Sequence, residues 1–180
     1  MVKEKFYEVY MEQLTKNSLA DILAKPPKEL IGKQVKVDLS SLARGKQGEI
    51  KGDIIDIKEN KALAEVTGLK LYPNYVKRFV RRGATKVDDS IVVEISEKKR
   101  IRIKLTFITR KKVNRSVGSA LRKEAKDFLT KLLANQKVIE IIKESLEGDL
   151  QKKLSKKLKK IYPLSFCEII ELRTIKENIR

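Results

Sequence analysis

The chain has 180 residues, no histidine, one cysteine (Cys167), and 42 Lys and Arg against 24 Asp and Glu, a net charge of +18. These figures exclude Ser-His-Asp and Cys-His catalysis, histidine-ligated metals, internal disulfides and cysteine-rich zinc sites. They point to a polyanionic partner, in a chain long enough to bury a real core.

Met1–Tyr7 lacks the apolar run of a signal peptide, and no stretch approaches the ~18 apolar residues of a membrane span. Residues 1–32 read as an N-terminal arm, with a short helix over about Leu14–Ala24 capped by Ser18 and a stiff linker at Pro26-Pro27. From Lys33 the period becomes two. Val35, Val37 and Leu39 mark a strand, Ile50–Ile57 a second with a bulge expected at Gly52, and Ala62–Leu71 a third. Pro73 opens a helix over Asn74–Arg82 that Gly83 stops. Ile91, Val93 and Ile95 begin a hairpin. Ile101, Ile103, Leu105 and Phe107 complete it, alternating with Arg100, Arg102, Lys104 and Thr106, so that one face is apolar and the other cationic.

After Val113 the period is helical. Asn114 or Ser116 caps a helix whose stripe is Val117, Leu121, Ala125, Phe128 and Leu132. A second helix covers residues 137–146 and breaks at Gly148-Asp149. Leu150, Leu154, Leu158 and Ile161 form a third stripe, read as core with lysines outward. Tyr162-Pro163 stops it, and Phe166–Ile175 reads as a returning strand. The expected fold is α+β: a small antiparallel β-barrel with a short inserted helix, C-terminal helices and a returning C-terminal strand. The expected organisation is an arm and linker (1–32), a barrel core (33–113), a basic helical unit (114–161) and a returning strand with tail (162–180).

The charge is uneven: residues 77–160 carry a net +16, whereas 1–76 carry +2 and 161–180 carry zero. Lys77, Arg78, Arg81 and Arg82 come without an acid, followed by Lys86. Nine cations lie between positions 98 and 115 with no acid: Lys98, Lys99, Arg100, Arg102, Lys104, Arg110, Lys111, Lys112 and Arg115. Such a run on one strand and loop is costly unless an anion meets it, and arginine grips phosphate oxygens in pairs. Arg122 and Lys123 fall off the helical stripe and extend the set, as does the polar Asn114. Gly45-Lys46-Gln47-Gly48 matches the G-x-x-G of KH domains, but strands rather than helices flank it, so a plain turn is the better reading. Phe107 and Phe128 fall on apolar stripes and read as core, which leaves few aromatics for stacking bases. Asp53 and Asp56, and the turn-like pair Asp88-Asp89, are the only carboxylates with a nuclease-like arrangement, and no convergent site follows from them.

Four ordered segments resemble the S-three-a family of small-subunit ribosomal proteins, the e-type S-one proteins, in an archaeal form. They are Lys5-Phe6-Tyr7-Glu8-Val9, the stretch Gly32-Lys33-Gln34-Val35-Lys36-Val37 through Leu42, Phe107-Ile108-Thr109-Arg110-Lys111-Lys112 with Arg115-Ser116, and Ile161-Tyr162-Pro163-Leu164. The resemblance implies a cytoplasmic, non-enzymatic ribosomal protein without cofactors. It implies binding to rRNA on the platform near the mRNA exit, beside neighbouring small-subunit proteins, with mRNA as a further partner and no membrane contact. The expected rRNA ligands are Lys77, Arg78, Arg81, Arg82, the nine cations from Lys98 to Arg115, Asn114, Arg122 and Lys123. The rival reading is a regulatory or docking protein that contacts mRNA or initiation factors.

Overall fold

The computed structural model describes residues 5–15, 17–24, 30–43, 45–58, 61–96 and 99–175. The chain divides into two compact units, Met1–Leu69 and Lys70–Arg180.

The first unit is a mixed sheet. It contains β1 (Lys5–Tyr10), β2 (Ser18–Ala24), β3 (Gln34–Asp38), a 3-10 turn at Leu39–Ser41, β4 (Gly48–Lys58) and β5 (Lys61–Leu71), which runs across the unit boundary. β1 pairs antiparallel with β2 and parallel with β5; β4 pairs with β5 and antiparallel with β3. Period-two burial builds this core: Tyr7, Val9 and Met11 from β1 and its exit, Val35 and Val37 from β3, Ala62, Ala64 and Val66 from β5. The helix expected over Leu14–Ala24 is instead a turn and β2. Its residues pair with β1 in the register Phe6↔Leu23 to Val9↔Ala20, and cross-strand pairing outweighs local helical preference. Pro26-Pro27 lies outside the described residues.

Gly52 is not a bulge, because β3 and β4 stay in register through Val35↔Gly52. Its lack of a side chain serves a close approach. A Cβ there would sit 2.7 Å from Met11 Cε and 3.1 Å from the Glu65 carbonyl oxygen. Met11 can swing aside but the carbonyl cannot. Gly52→Val is therefore expected to destabilise by about 1–3 kcal/mol, readable as a lower urea midpoint at unchanged slope.

The second unit has an antiparallel ladder and four helices: α1 (Pro73–Lys77), β6 (Lys86–Glu94), β7 (Arg100–Thr109), α2 (Arg115–Leu133), α3 (Val138–Glu147), α4 (Asp149–Leu158) and β8 (Leu164–Ile175). β7 lies between β6 and β8. Ile101, Ile103, Leu105 and Phe107 are all buried, and Val87, Ile91 and Val93 extend that layer on β6. α2 packs against β6 and α4 against β8. α3 ends where Gly148 adopts φ +84°, a backbone state that a side chain disfavours, and α4 starts directly after it.

Several expectations shift. α1 opens at Pro73 as expected but ends at Lys77, five residues short of Arg82. The core face of α2 is Gly118, Leu121, Ala125, Leu129 and Leu133, leaving Val117, Phe128 and Leu132 half-buried. Asn114 occupies the N-cap position of α2 but its side chain makes no capping bond. Asp88 and Asp89 lie within β6 rather than in a turn. Leu150, Leu154 and Leu158 are fully buried as expected, whereas Ile161 is exposed. The fold class is α+β, and the barrel resolves into open sheet: among the described residues no pairing closes either unit's ladder on itself.

Candidate nucleic-acid interface

The two units divide the charge. The first holds 12 basic and 11 acidic residues, net +1; the second holds 30 and 13, net +17. The cationic surface is thus the property of one folded unit.

Its first component follows α1. Lys77, Arg78, Arg81 and Arg82 are all exposed, and the Arg78 guanidinium lies 5.3 Å from the Tyr75 ring centroid. Tyr75 packs edge-on to Phe79, which stacks on Phe166 at 4.2 Å. An aromatic cluster therefore seats this turn on β8 and presents its cations outward.

The second component is the outer face of the ladder. Arg100, Arg102 and Lys104 are exposed on β7, as alternation requires. Neighbouring strands supply counter-charge that the sequence run conceals. Arg100 Nε lies 3.0 Å from the Glu94 carboxylate of β6, and Lys104 Nζ lies 2.6 Å from that of Glu171 on β8. Partial burial pushes the Glu171 carboxyl up, but the Lys104 hydrogen bond, with the charges of Lys104, Lys70 and Arg173, outweighs it and leaves a net lowering. The Lys104–Glu171 attraction accordingly holds above the ordinary carboxylate range and is lost on acidification. Arg102 differs: its partner in the ladder is Arg173. Both are exposed and neither forms an ion pair with a described residue. Like charges directly opposite on a sheet repel, so this pair leaves a local excess of positive charge on the face. Arg173 escaped sequence reasoning because only strand register brings it beside Arg102.

The third component is the loop from Arg110 to Asn114, whose Arg110, Lys111, Lys112 and Asn114 are exposed, with Arg115 opening α2. Two threonines clasp it. The Thr109 N–H donates to the Thr85 carbonyl at 3.0 Å, the Thr85 N–H to the Thr109 hydroxyl at 3.0 Å, and the Val113 N–H to the Thr85 hydroxyl at 3.1 Å. The buried Thr109 hydroxyl donates to the Lys111 carbonyl at 2.7 Å, and the Arg110 N–H donates to the Pro163 carbonyl at 3.2 Å. The cations of the loop thus stand on a fixed backbone, which lowers the ordering cost of binding.

Arg122 is half-buried and donates Nε to the Asp88 carbonyl at 3.1 Å, tying α2 to β6 as well as adding charge. Lys123 is exposed, Lys99 is exposed at the entry to β7, and Lys98 lies outside the described residues. The lysines of α4 are partly matched, with Lys152 on Asp149, Lys153 on Glu144 and Lys157 on Glu124. The long cationic run does not form one cluster. Ten strand residues at about 3.3 Å each separate Arg100 from Arg110 by about 33 Å, so the run supplies two sites at opposite ends of β7.

The carboxylates named as catalytic candidates are otherwise engaged. Asp88 accepts from Lys86 at 2.8 Å and from Thr106 at 2.6 Å, and Asp56 accepts from the Ile57 N–H at 2.8 Å. Asp53 accepts from the Gln34 amide at 3.5 Å. Burial, and then the Glu168 charge, push the Cys167 thiol up to about 12, which makes it a protonated filler. No group of three acidic or cysteine side chains among the described residues could hold a metal, and none of the described helices is long and apolar enough to cross a membrane.

A model of the Ribosomal S3Ae family matches residues 1–178. The chain belongs to this family. Among its curated relatives, a small ribosomal subunit protein eS1 of Halorubrum lacusprofundi is 29% identical over 94% of this chain and 81% of its own length. Proteins with the same name from Haloquadratum walsbyi and Methanobrevibacter smithii are 27% and 28% identical, over 89% and 84% of this chain and 77% and 80% of their own lengths. Within the fold, two of the segments that suggested the S3Ae family, Phe107–Ser116 and Ile161–Leu164, meet at the clasped loop through the Arg110–Pro163 hydrogen bond.

Proposed function

We propose that this S3Ae-family protein is a structural constituent of the small ribosomal subunit. It binds rRNA through the basic surface of its second unit, on the platform near the mRNA exit. The observation that carries this reading is the Arg102–Arg173 juxtaposition, two cations directly opposite each other and in no ion pair with a described residue, on a strand whose Arg100 and Lys104 are paired. Phosphate is the anion that answers it, and the clasped Arg110–Arg115 loop, the turn after α1 and the outward face of α2 extend the contact to further phosphates. Lys77, Arg78, Arg81, Arg82, Lys99, Arg100, Lys104 and Lys123 add to the field that steers RNA onto the unit.

The near-neutral first unit faces neighbouring small-subunit proteins. Phe6 and Leu23 are direct cross-strand partners, 69% and 49% exposed, and together form an apolar patch on the β1–β2 hairpin. The test of the rRNA assignment is affinity for small-subunit rRNA measured against salt. Four or more phosphate contacts predict a log–log slope of about −3 or steeper. A nearly flat dependence would overturn it.

A further inference from the structure

A cleft of about 640 Å³ lies between α1 and the face of the ladder on which Lys86, Ser90 and Lys104 stand. Its apolar interior plays no part in the phosphate contacts proposed above. Its size falls in the roughly 300–1,000 Å³ range of pockets that take small-molecule ligands and cofactors. Pro73, Val76, Val80 and Ile170 line it with apolar surface, and Val80 is 42% exposed at its edge. Lys77 and Lys86 bring ammonium groups to the same cleft, and the turn beyond Lys77 adds Arg78, Arg81 and Arg82. Of the two carboxylates at the cleft, Asp88 stands on this face and already accepts from Lys86 and Thr106, whereas Asp89, one residue further on, alternates to the opposite face with Val87 and Ile91.

We infer that this cleft takes one unstacked nucleobase of the bound rRNA, with the flanking phosphates on Lys77 and the turn beyond it. The inference rests on the rRNA reading above and names what that surface recognises. A nucleotide carries two apolar faces, a hydrogen-bonding edge with N–H donors, and anionic groups at its other end. The cleft offers apolar walls, the Asp88 carboxylate and Ser90 hydroxyl for the edge, and Lys77 with the turn beyond it for the phosphates. An acidic peptide would satisfy the cations but set like charge against Asp88. Folded RNA is read chiefly at such loops and bulges, where a base is already splayed out.

The experiment uses the full chain and two RNA hairpins, one fully paired and one with a single bulged 2-aminopurine. Binding is followed by anisotropy, and the base by its own fluorescence. The bulged hairpin is expected to bind about tenfold more tightly than the paired one, the scale of one good base contact. Emission of the bulged base should rise as it leaves its stacked neighbours. Val80→Asn, a neutral change at an exposed position, should abolish both effects while leaving affinity for the paired hairpin unchanged. If both hairpins bind equally and the emission does not move, the cleft assignment falls and the rRNA reading stands. If neither hairpin binds, both fall. A Val80 methyl resonance that shifts with an acidic leucine-containing peptide, but not with the bulged hairpin, would overturn the assignment in favour of a protein partner.

Discussion

Replacing Arg110 and Arg115 together by alanine is expected to leave the thermal midpoint unchanged and to weaken rRNA binding. The salt slope should shrink by about one per arginine removed. Both residues are exposed, and the hydrogen bonds that shape their loop use backbone groups and the hydroxyls of Thr85 and Thr109. Removing the guanidinium groups therefore takes away phosphate ligands without touching the scaffold. Titration of small-subunit rRNA at several salt concentrations reads the effect directly, and co-sedimentation with the subunit reads its consequence. An unchanged slope would show that the clasped loop does not meet phosphate. The contrasting variant is Thr109→Val, which keeps every cation but removes the hydroxyl that bonds the Lys111 carbonyl and receives the Thr85 N–H. It should weaken binding with the salt slope retained, since the contacts persist but must be ordered on arrival.

Phe107→Ala should do the reverse: a loss of about 3–5 kcal/mol in stability, with rRNA contacts intact in the molecules that remain folded. Phe107 has no solvent exposure and sits in the central strand, in register with Val87 on one side and Cys167 on the other. Leu121→Ala on the facing layer of α2 should cost about 2–5 kcal/mol for the same reason. Urea unfolding measures both. If the arginine pair and the core pair lost stability equally, the division between scaffold and binding surface would be wrong.

β7 was the most legible element, because four apolar and four polar residues alternate without a break and one face is wholly buried. The helices were legible as elements, but the face of α2 was displaced by one position. Leu121 and Ala125 keep their places, while Gly118, Leu129 and Leu133 turn inward in place of Val117, Phe128 and Leu132. β2 was not legible: Ser18–Ala24 has no alternation strong enough to compete with a helical reading, and its partner β1 decides its conformation. The cationic character of the site was plain from composition. Its geometry was not, because Glu94, Glu171 and Arg173 reach β7 only through register, two cancelling its charge and one doubling it.

The Arg102–Arg173 pair also bears on stability. A bound anion relieves the repulsion between the two, and any ligand that binds the folded form alone stabilises it by mass action. On the proposed rRNA reading, the part of the β7–β8 ladder where the two arginines face each other is held less firmly without RNA than with it. Local opening there is then easiest in the free protein, and slowest where a phosphate bridges the two strands.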